Sequence, residues 1–256
     1  MSHGFFPPYF VWWHIPVIFL AGLIGESYGC IIGGGSILLL ATQNFIGVPL
    51  KSAVAINNAA ALGTEFGILS ETHRYVIKNK RIVLLMMLPI TLGGAIGTRL
   101  LLVLSPEVIK LLIIAAVLAL LIYTYAGKNR TSSRKVAKPH YTMLYVFLFL
   151  TGLYSNFVSL GGGTFSKLAI ISVLGLTFIQ GQGLSAAVSL PARIYSLVVT
   201  SIAGLIVWPY LITFWVSTYI AGKYSTKFVK HVPDKFLKAA LTLVCIIFIF
   251  YLLFVY

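Results

Sequence analysis

The chain has 256 residues, of which 59% are apolar and 9% are charged, and its 19 Lys and Arg outnumber its 5 Asp and Glu. Apolar stretches of membrane-spanning length exclude a soluble domain and predict an all-α polytopic membrane protein. Most basic residues lie in three loops at the predicted membrane edges, so the formal charge of +14 does not indicate a nucleic acid partner.

The predicted elements form two repeats joined by a linker. The first repeat, residues 1–127, contains a glycine-broken hairpin and three transmembrane helices, at 15–47, 52–71, 82–103 and 107–126. Residues 128–140 form a basic linker that we expect to be cytoplasmic. The second repeat, residues 141–256, contains the same elements in the same order, at 142–176, 181–205, 208–226 and 235–255.

Two glycine triplets carry the evidence for the duplication. Gly33, Gly34, Gly35 and Ser36 recur about 128 residues later as Gly161, Gly162, Gly163 and Thr164. Each triplet is followed by a further glycine, at 47 and 175. Because glycine costs roughly 1 kcal/mol in a helix interior, three in a row predict a break in the helix. Broken helices are the usual place for a transporter's substrate.

The basic loops predict that the two repeats are inverted. In the first repeat the connection after the second helix is basic and the next one is nearly uncharged, whereas the second repeat reverses this order. Since cytoplasmic loops are rich in Lys and Arg, both termini should face outward. Each hairpin must then enter and leave on one side of the membrane. Its arms are shorter than a full span, so they are either re-entrant half-helices or tilted short spans.

Several segments resemble the sulfite exporter TauE/SafE family. They are the glycine triplets, the Gly-Val-Pro-Leu-Lys-Ser-Ala-Val turn at 47–54, the stretch from Gly97-Thr98-Arg99 to Ser105-Pro106-Glu107, and the duplication itself. The resemblance extends from about Phe19 to the C-terminus. It implies a secondary transporter for a small sulfur-containing anion, such as sulfite, sulfoacetate or a related organosulfur acid, in the inner or plasma membrane.

The triplets also predict the binding site. A helix that starts after a glycine turn offers free backbone N–H groups, and Ser36 and Thr164 occupy capping positions there. We therefore expect residues 33–36 and 161–164 to form facing anion cradles; the alternative is that the glycines only permit close helix packing. Asn57 and Ser185, which are repeat mates, are expected to contact the ligand, and Asn156 precedes the second triplet and could complete its cradle.

Charged residues inside predicted spans are the other candidates. Arg193 follows Pro191 on an otherwise apolar helix, and its guanidinium either binds the oxyanion or pairs with its repeat mate Glu65. Glu26 and Glu65 are either proton carriers for a coupled transporter or structural partners of basic residues. Lys167 either reaches the site or extends to the membrane interface.

The predicted function is transport by alternating access, with a non-transporting membrane scaffold or assembly subunit as the alternative. An intramembrane enzyme is disfavoured because the five histidines lie near segment ends or in loops, so we expect no catalytic residues. Cys30 and Cys245 belong to no CxxC motif or Cys/His cluster, so we expect neither metal nor cofactor. The sequence leaves the coupling ion, the direction of transport and the oligomeric state open.

Overall fold

The computed structural model of the protein describes residues 10–30, 33–126, 141–159 and 162–228, together with six positions between 242 and 253. All regular elements in these ranges are helices: α1 (His14–Gly29), α2 (Gly35–Phe45), α3 (Leu50–Lys78), α4 (Lys80–Val103), α5 (Pro106–Ala126), α6 (Tyr141–Phe157), α7 (Gly162–Leu174), α8 (Phe178–Ile202) and α9 (Trp208–Phe228). The predicted linker 128–140 lies outside the described residues, as does nearly all of the predicted helix 235–255.

Glycines end the short helices. Gly33 and Gly34 have φ angles of 98° and 84°, which lie in the left-handed region that side chains disfavour, and α2 starts at the next residue. Gly47 and Gly175, with φ angles of 84° and 64°, follow the last residues of α2 and α7. A left-handed glycine directly after the last turn is a common way to stop a helix.

Helices α2 and α7 are too short to cross a bilayer alone. They have 11 and 13 residues, and at 1.5 Å per residue they are roughly 16 and 20 Å long against a hydrocarbon thickness of about 30 Å. Among the described residues, Lys80–Val103 and Phe178–Ile202 are long and apolar enough for a span by length and composition. Leu84, Leu85, Leu88 and Leu92 on α4 are each more than half exposed, which gives this helix an outward apolar face.

Helices from the two halves of the chain interleave. Helix α4 packs against α6 and α8, α9 packs against α1 and α3, and α3 packs directly against α8. A shift of about 128 residues relates α4 to α9, α6 to α1 and α8 to α3. The contacts of α4 with α6 and α8 therefore correspond to the contacts of α9 with α1 and α3. The orientation of the two halves relative to a membrane stays a prediction.

Small residues allow these helices to approach closely. A Cβ atom built on Gly93 of α4 would overlap the backbone oxygen of Phe149 on α6, and one on Gly97 would overlap that of Leu153. Gly63 and Gly67 of α3 face the backbone of α9 in the same way. Spacing of four between glycines is typical of tightly packed membrane helices.

We expect Gly93→Ala to lower the free energy of unfolding by about 1 to 3 kcal/mol, because the added methyl group forces two backbones apart. The matched change is Gly163→Ala, since no atom lies within 4 Å of a Cβ built there. Thermal unfolding in detergent measures both variants. Equal melting temperatures for the two would contradict the packing role of Gly93.

Candidate functional site

A polar cavity of about 100 Å³ lies where the two broken segments meet α3 and α8. Since roughly 10 to 15 Å³ of such space holds one water molecule, the cavity can hold several waters or small oxyanions. Its walls are formed by Glu26, Gly29, Cys30, Gly34, Gly35, Ser36, Asn57, Ala61, Thr64, Glu65, Ile68, Ser159, Gly163, Thr164, Lys167, Gln182, Ser185, Ala186, Ser189 and Arg193.

The two triplets lie side by side at this cavity. Gly34, Gly35 and Ser36 line it from the first segment, and Gly163 and Thr164 line it from the second. Gly33 contacts the second segment directly, because a Cβ built on it would lie 2.6 Å from Thr164 Oγ1. Gly162 begins α7, and Gly161 lies outside the described residues.

Asn57 ties the two broken segments together from α3. Its Nδ2 donates to the backbone oxygen and the hydroxyl of Ser159, at 3.1 Å each, and to the backbone oxygen of Ser36 at 3.4 Å. Ser159 has a φ angle of 63°, an uncommon conformation for a residue with a side chain. The amide therefore fixes an unwound stretch just before the second triplet.

Arg193 and Glu65 form a buried ion pair across the α3–α8 contact. Arg193 Nε lies 3.6 Å from Glu65 Oε1, and the two side chains are 9% and 10% exposed. Arg193 Nη1 donates to Asn58 Oδ1, and Asn58 Nδ2 donates in turn to the backbone oxygen of Asn156 at 2.7 Å. Arg193 also lines the cavity.

The second pair of charged groups in the cavity consists of Glu26 and Lys167. Glu26 Oε2 accepts a hydrogen bond from Thr64 Oγ1 at 3.2 Å. Lys167 is 4% exposed and its Nζ donates to the backbone oxygen of Cys30 at 2.6 Å. Lys167 thus lies at the site and not at a membrane interface. With all four groups ionised, the formal charges of the described lining residues cancel.

Ser185 lines the cavity beside the second segment, and its hydroxyl lies 2.8 Å from that of Ser166. Asn156 does not line the cavity. Its side chain donates to the backbone oxygen of Gly152 at 2.9 Å, so the side chain completes a helix end instead of a cradle.

Sequence reasoning left Lys167 undecided and missed Gln182 and Ser159 as lining residues. A helical signal was present for Gln182. Residues 182, 185, 189 and 193 recur at intervals of three or four and therefore share one face of α8, where Arg193 was already suspected. Ser159 gave no such signal, because serine does not predict a left-handed backbone.

Comparison with known proteins identifies the family of the chain. The family described as sulfite exporter TauE/SafE matches residues 17–252. The chain belongs to the TauE/SafE family. A "Probable membrane transporter protein" of Haemophilus influenzae is 24% identical to it over 199 residues, which cover 76% of each chain.

Membership of the TauE/SafE family makes the chain a membrane transporter. The resemblance noted from the glycine triplets and the turn at 47–54 is therefore confirmed. The helical fold and its apolar outer face agree with a location in a membrane.

Proposed function

We propose that the protein is a secondary transporter that moves a small sulfur-containing anion, such as sulfite, sulfoacetate or a related organosulfur acid, across the cytoplasmic membrane by alternating access. The observation that carries the proposal is the cavity with charged walls between the two glycine-broken segments. The name of the family supports a sulfur oxyanion as the substrate.

The chemistry of the cavity suits an oxyanion. An anion that leaves water must be offered oriented donors and positive charge, because its lost hydration costs several kcal/mol or more. Arg193 supplies a planar guanidinium, which matches the oxygens of a sulfonate or sulfite group. Around it, Ser185 and Thr164 supply hydroxyls, and the start of α7 supplies backbone N–H groups.

The ion pair between Arg193 and Glu65 supports a mechanism that couples transport of the anion to a proton. At 3.6 Å, Glu65 holds the place that an anionic ligand would take beside the guanidinium. If a proton neutralises Glu65 or Glu26, the cavity gains one net positive charge, and a proton on Glu65 also frees Arg193 to bind the anion. In this proposal the proton and the anion enter and leave the site together, so the desolvated cavity never carries a large net charge.

The arrangement of the helices supports alternating access. The cavity lies between α3 and α8, one from each half, and both broken segments end at it. We infer that the halves are inverted repeats with outward termini, which rock about this contact. The exchange of helix contacts under the 128-residue shift supports this inference.

Uptake into proteoliposomes tests the proposal. We expect purified protein to accumulate 35S-labelled sulfite inside liposomes when a pH gradient is imposed, and unlabelled sulfite or sulfoacetate to compete with the label. Protein-free liposomes and liposomes with a proton ionophore serve as controls. The proposal fails if none of these anions is taken up at either sign of the gradient.

A further inference from the structure

Lys167 is a buried cation with no carboxylate within ion-pair distance among the described residues. Its Nζ uses one donor on the backbone oxygen of Cys30 and lies 4.4 Å from the centre of the Phe178 ring. Among the described residues the recorded ion pair of the cavity is that of Arg193 and Glu65, and Glu26 attracts Lys167 only from beyond ion-pair distance. Because burying an ammonium group is costly unless it is paired, two of its three N–H donors require a partner.

Gln182 adds an unused donor to the same cavity. The side chain is 4% exposed, and its buried Nε2 atom has no hydrogen-bond partner among the described residues. A buried amide without a partner is destabilising, so its retention at a cavity wall points to a bound group that accepts from it. Lys167 and Gln182 therefore each point to an acceptor in this cavity.

The two residues lie at one end of α8, away from Arg193. Phe178, which contacts Lys167, is the first residue of α8, and Gln182 follows one turn later. Arg193 is eleven residues beyond Gln182 on the same face, a rise of about 16 Å at 1.5 Å per residue. A compact oxyanion beside the guanidinium therefore lies farther along α8 than the first turns, where Phe178 and Gln182 stand.

We propose that Lys167 and Gln182 form a second anion subsite, in line with the Arg193 subsite along the α3–α8 contact. Its ligand is a compact oxyanion that accepts from the ammonium of Lys167 and the amide of Gln182. The inference deepens the proposed function, since two subsites in line would let the anion pass from one to the other. Glu26 interacts with both cations and so lies within electrostatic reach of both subsites.

Equilibrium binding of 35S-labelled sulfite to the purified full-length protein tests the second subsite. We expect about two ions per chain at saturation. Loss of a charge-assisted contact should lower the binding affinity of one of them by about tenfold or more. Lys167→Gln and Gln182→Leu should weaken the binding of one ion and leave the binding of the other unchanged. Arg193→Gln should leave the binding of the ion at Lys167 unchanged. Lys167→Arg keeps the charge and should keep both ions.

The matched control is Lys51→Gln, because Lys51 also donates to a backbone oxygen, that of Leu102 at 3.1 Å, but does not line the cavity. It should bind like the wild type. The inference is overturned if the wild type binds one ion that either Lys167→Gln or Arg193→Gln abolishes, or if Lys167→Gln and Gln182→Leu leave binding unchanged. If that result is found while proteoliposomes still take up sulfite, only the second subsite is wrong. Absence of both binding and uptake overturns the proposed function as well.

Discussion

Arg193→Gln is expected to reduce the initial rate of sulfite uptake by about 100-fold or more. The guanidinium is the charged group that the cavity holds closest to a displaceable carboxylate, and a charge-assisted contact contributes up to about 3 kcal/mol, or two powers of ten. Uptake of labelled sulfite into proteoliposomes at equal protein content measures the change. Glutamine keeps hydrogen-bond donors at this position but removes the charge and the planar fork.

Two further variants separate binding from folding. Arg193→Lys keeps the charge without the fork and should lose about tenfold, an intermediate loss. Arg99→Gln is the matched control, since Arg99 is an exposed arginine whose Nε donates to the hydroxyl of Tyr195, outside the cavity. Uptake by Arg193→Gln at the wild-type rate, in protein with the wild-type melting temperature, would rule out a substrate role for Arg193.

The helix breaks at the glycine triplets follow from features that a sequence displays. Glycine is costly in a helix and inexpensive at positive φ, so Gly33 and Gly34 mark an unwound stretch without any knowledge of the neighbours. Arg193 and Glu65 were also within reach of sequence reasoning. They are opposite charges at equivalent positions of a duplicated helix, and buried opposite charges require each other.

The second group of charges was harder to foresee for a physical reason. Lysine is long and flexible, so the position of Lys167 on α7 does not decide whether the ammonium turns toward the membrane edge or the interior. The choice depends on the backbone oxygen of Cys30, which belongs to the other half of the chain. A contact of this kind is fixed by the way the two halves of the chain meet at the cavity and leaves no periodic pattern.

The side chain of Asn156 illustrates the same limit. It stands just before the second triplet, but a polar side chain in the last turn of a helix can bond its own backbone, as Asn156 does with Gly152. Its backbone oxygen contributes instead, by accepting from Asn58, which holds Arg193. Asn156 therefore connects to the charged cavity through two other residues.

The proposed proton coupling predicts different defects for carboxylate and arginine variants. Glu65→Gln and Glu26→Gln imitate the protonated side chains, so the anion should still bind. We expect exchange of internal for external sulfite to continue in at least one of these variants, while accumulation driven by a pH gradient falls to the level of ionophore-treated liposomes. Counterflow and gradient-driven uptake, measured on the same proteoliposomes, distinguish the two steps.

The charges of the cavity explain why one substitution can separate these steps. In the proposed mechanism, an anion binds with a proton because the neutralised carboxylate releases the cation that it pairs with. In whichever of Glu65→Gln and Glu26→Gln removes the proton-carrying carboxylate, the cation is permanently released. Anion binding then requires no proton, so a pH gradient no longer drives the anion. Glu71→Gln is the matched control, since Glu71 is exposed near the end of α3, away from the cavity. Gradient-driven accumulation that persists in Glu26→Gln, in Glu65→Gln and in the double variant would show that the proton is carried elsewhere.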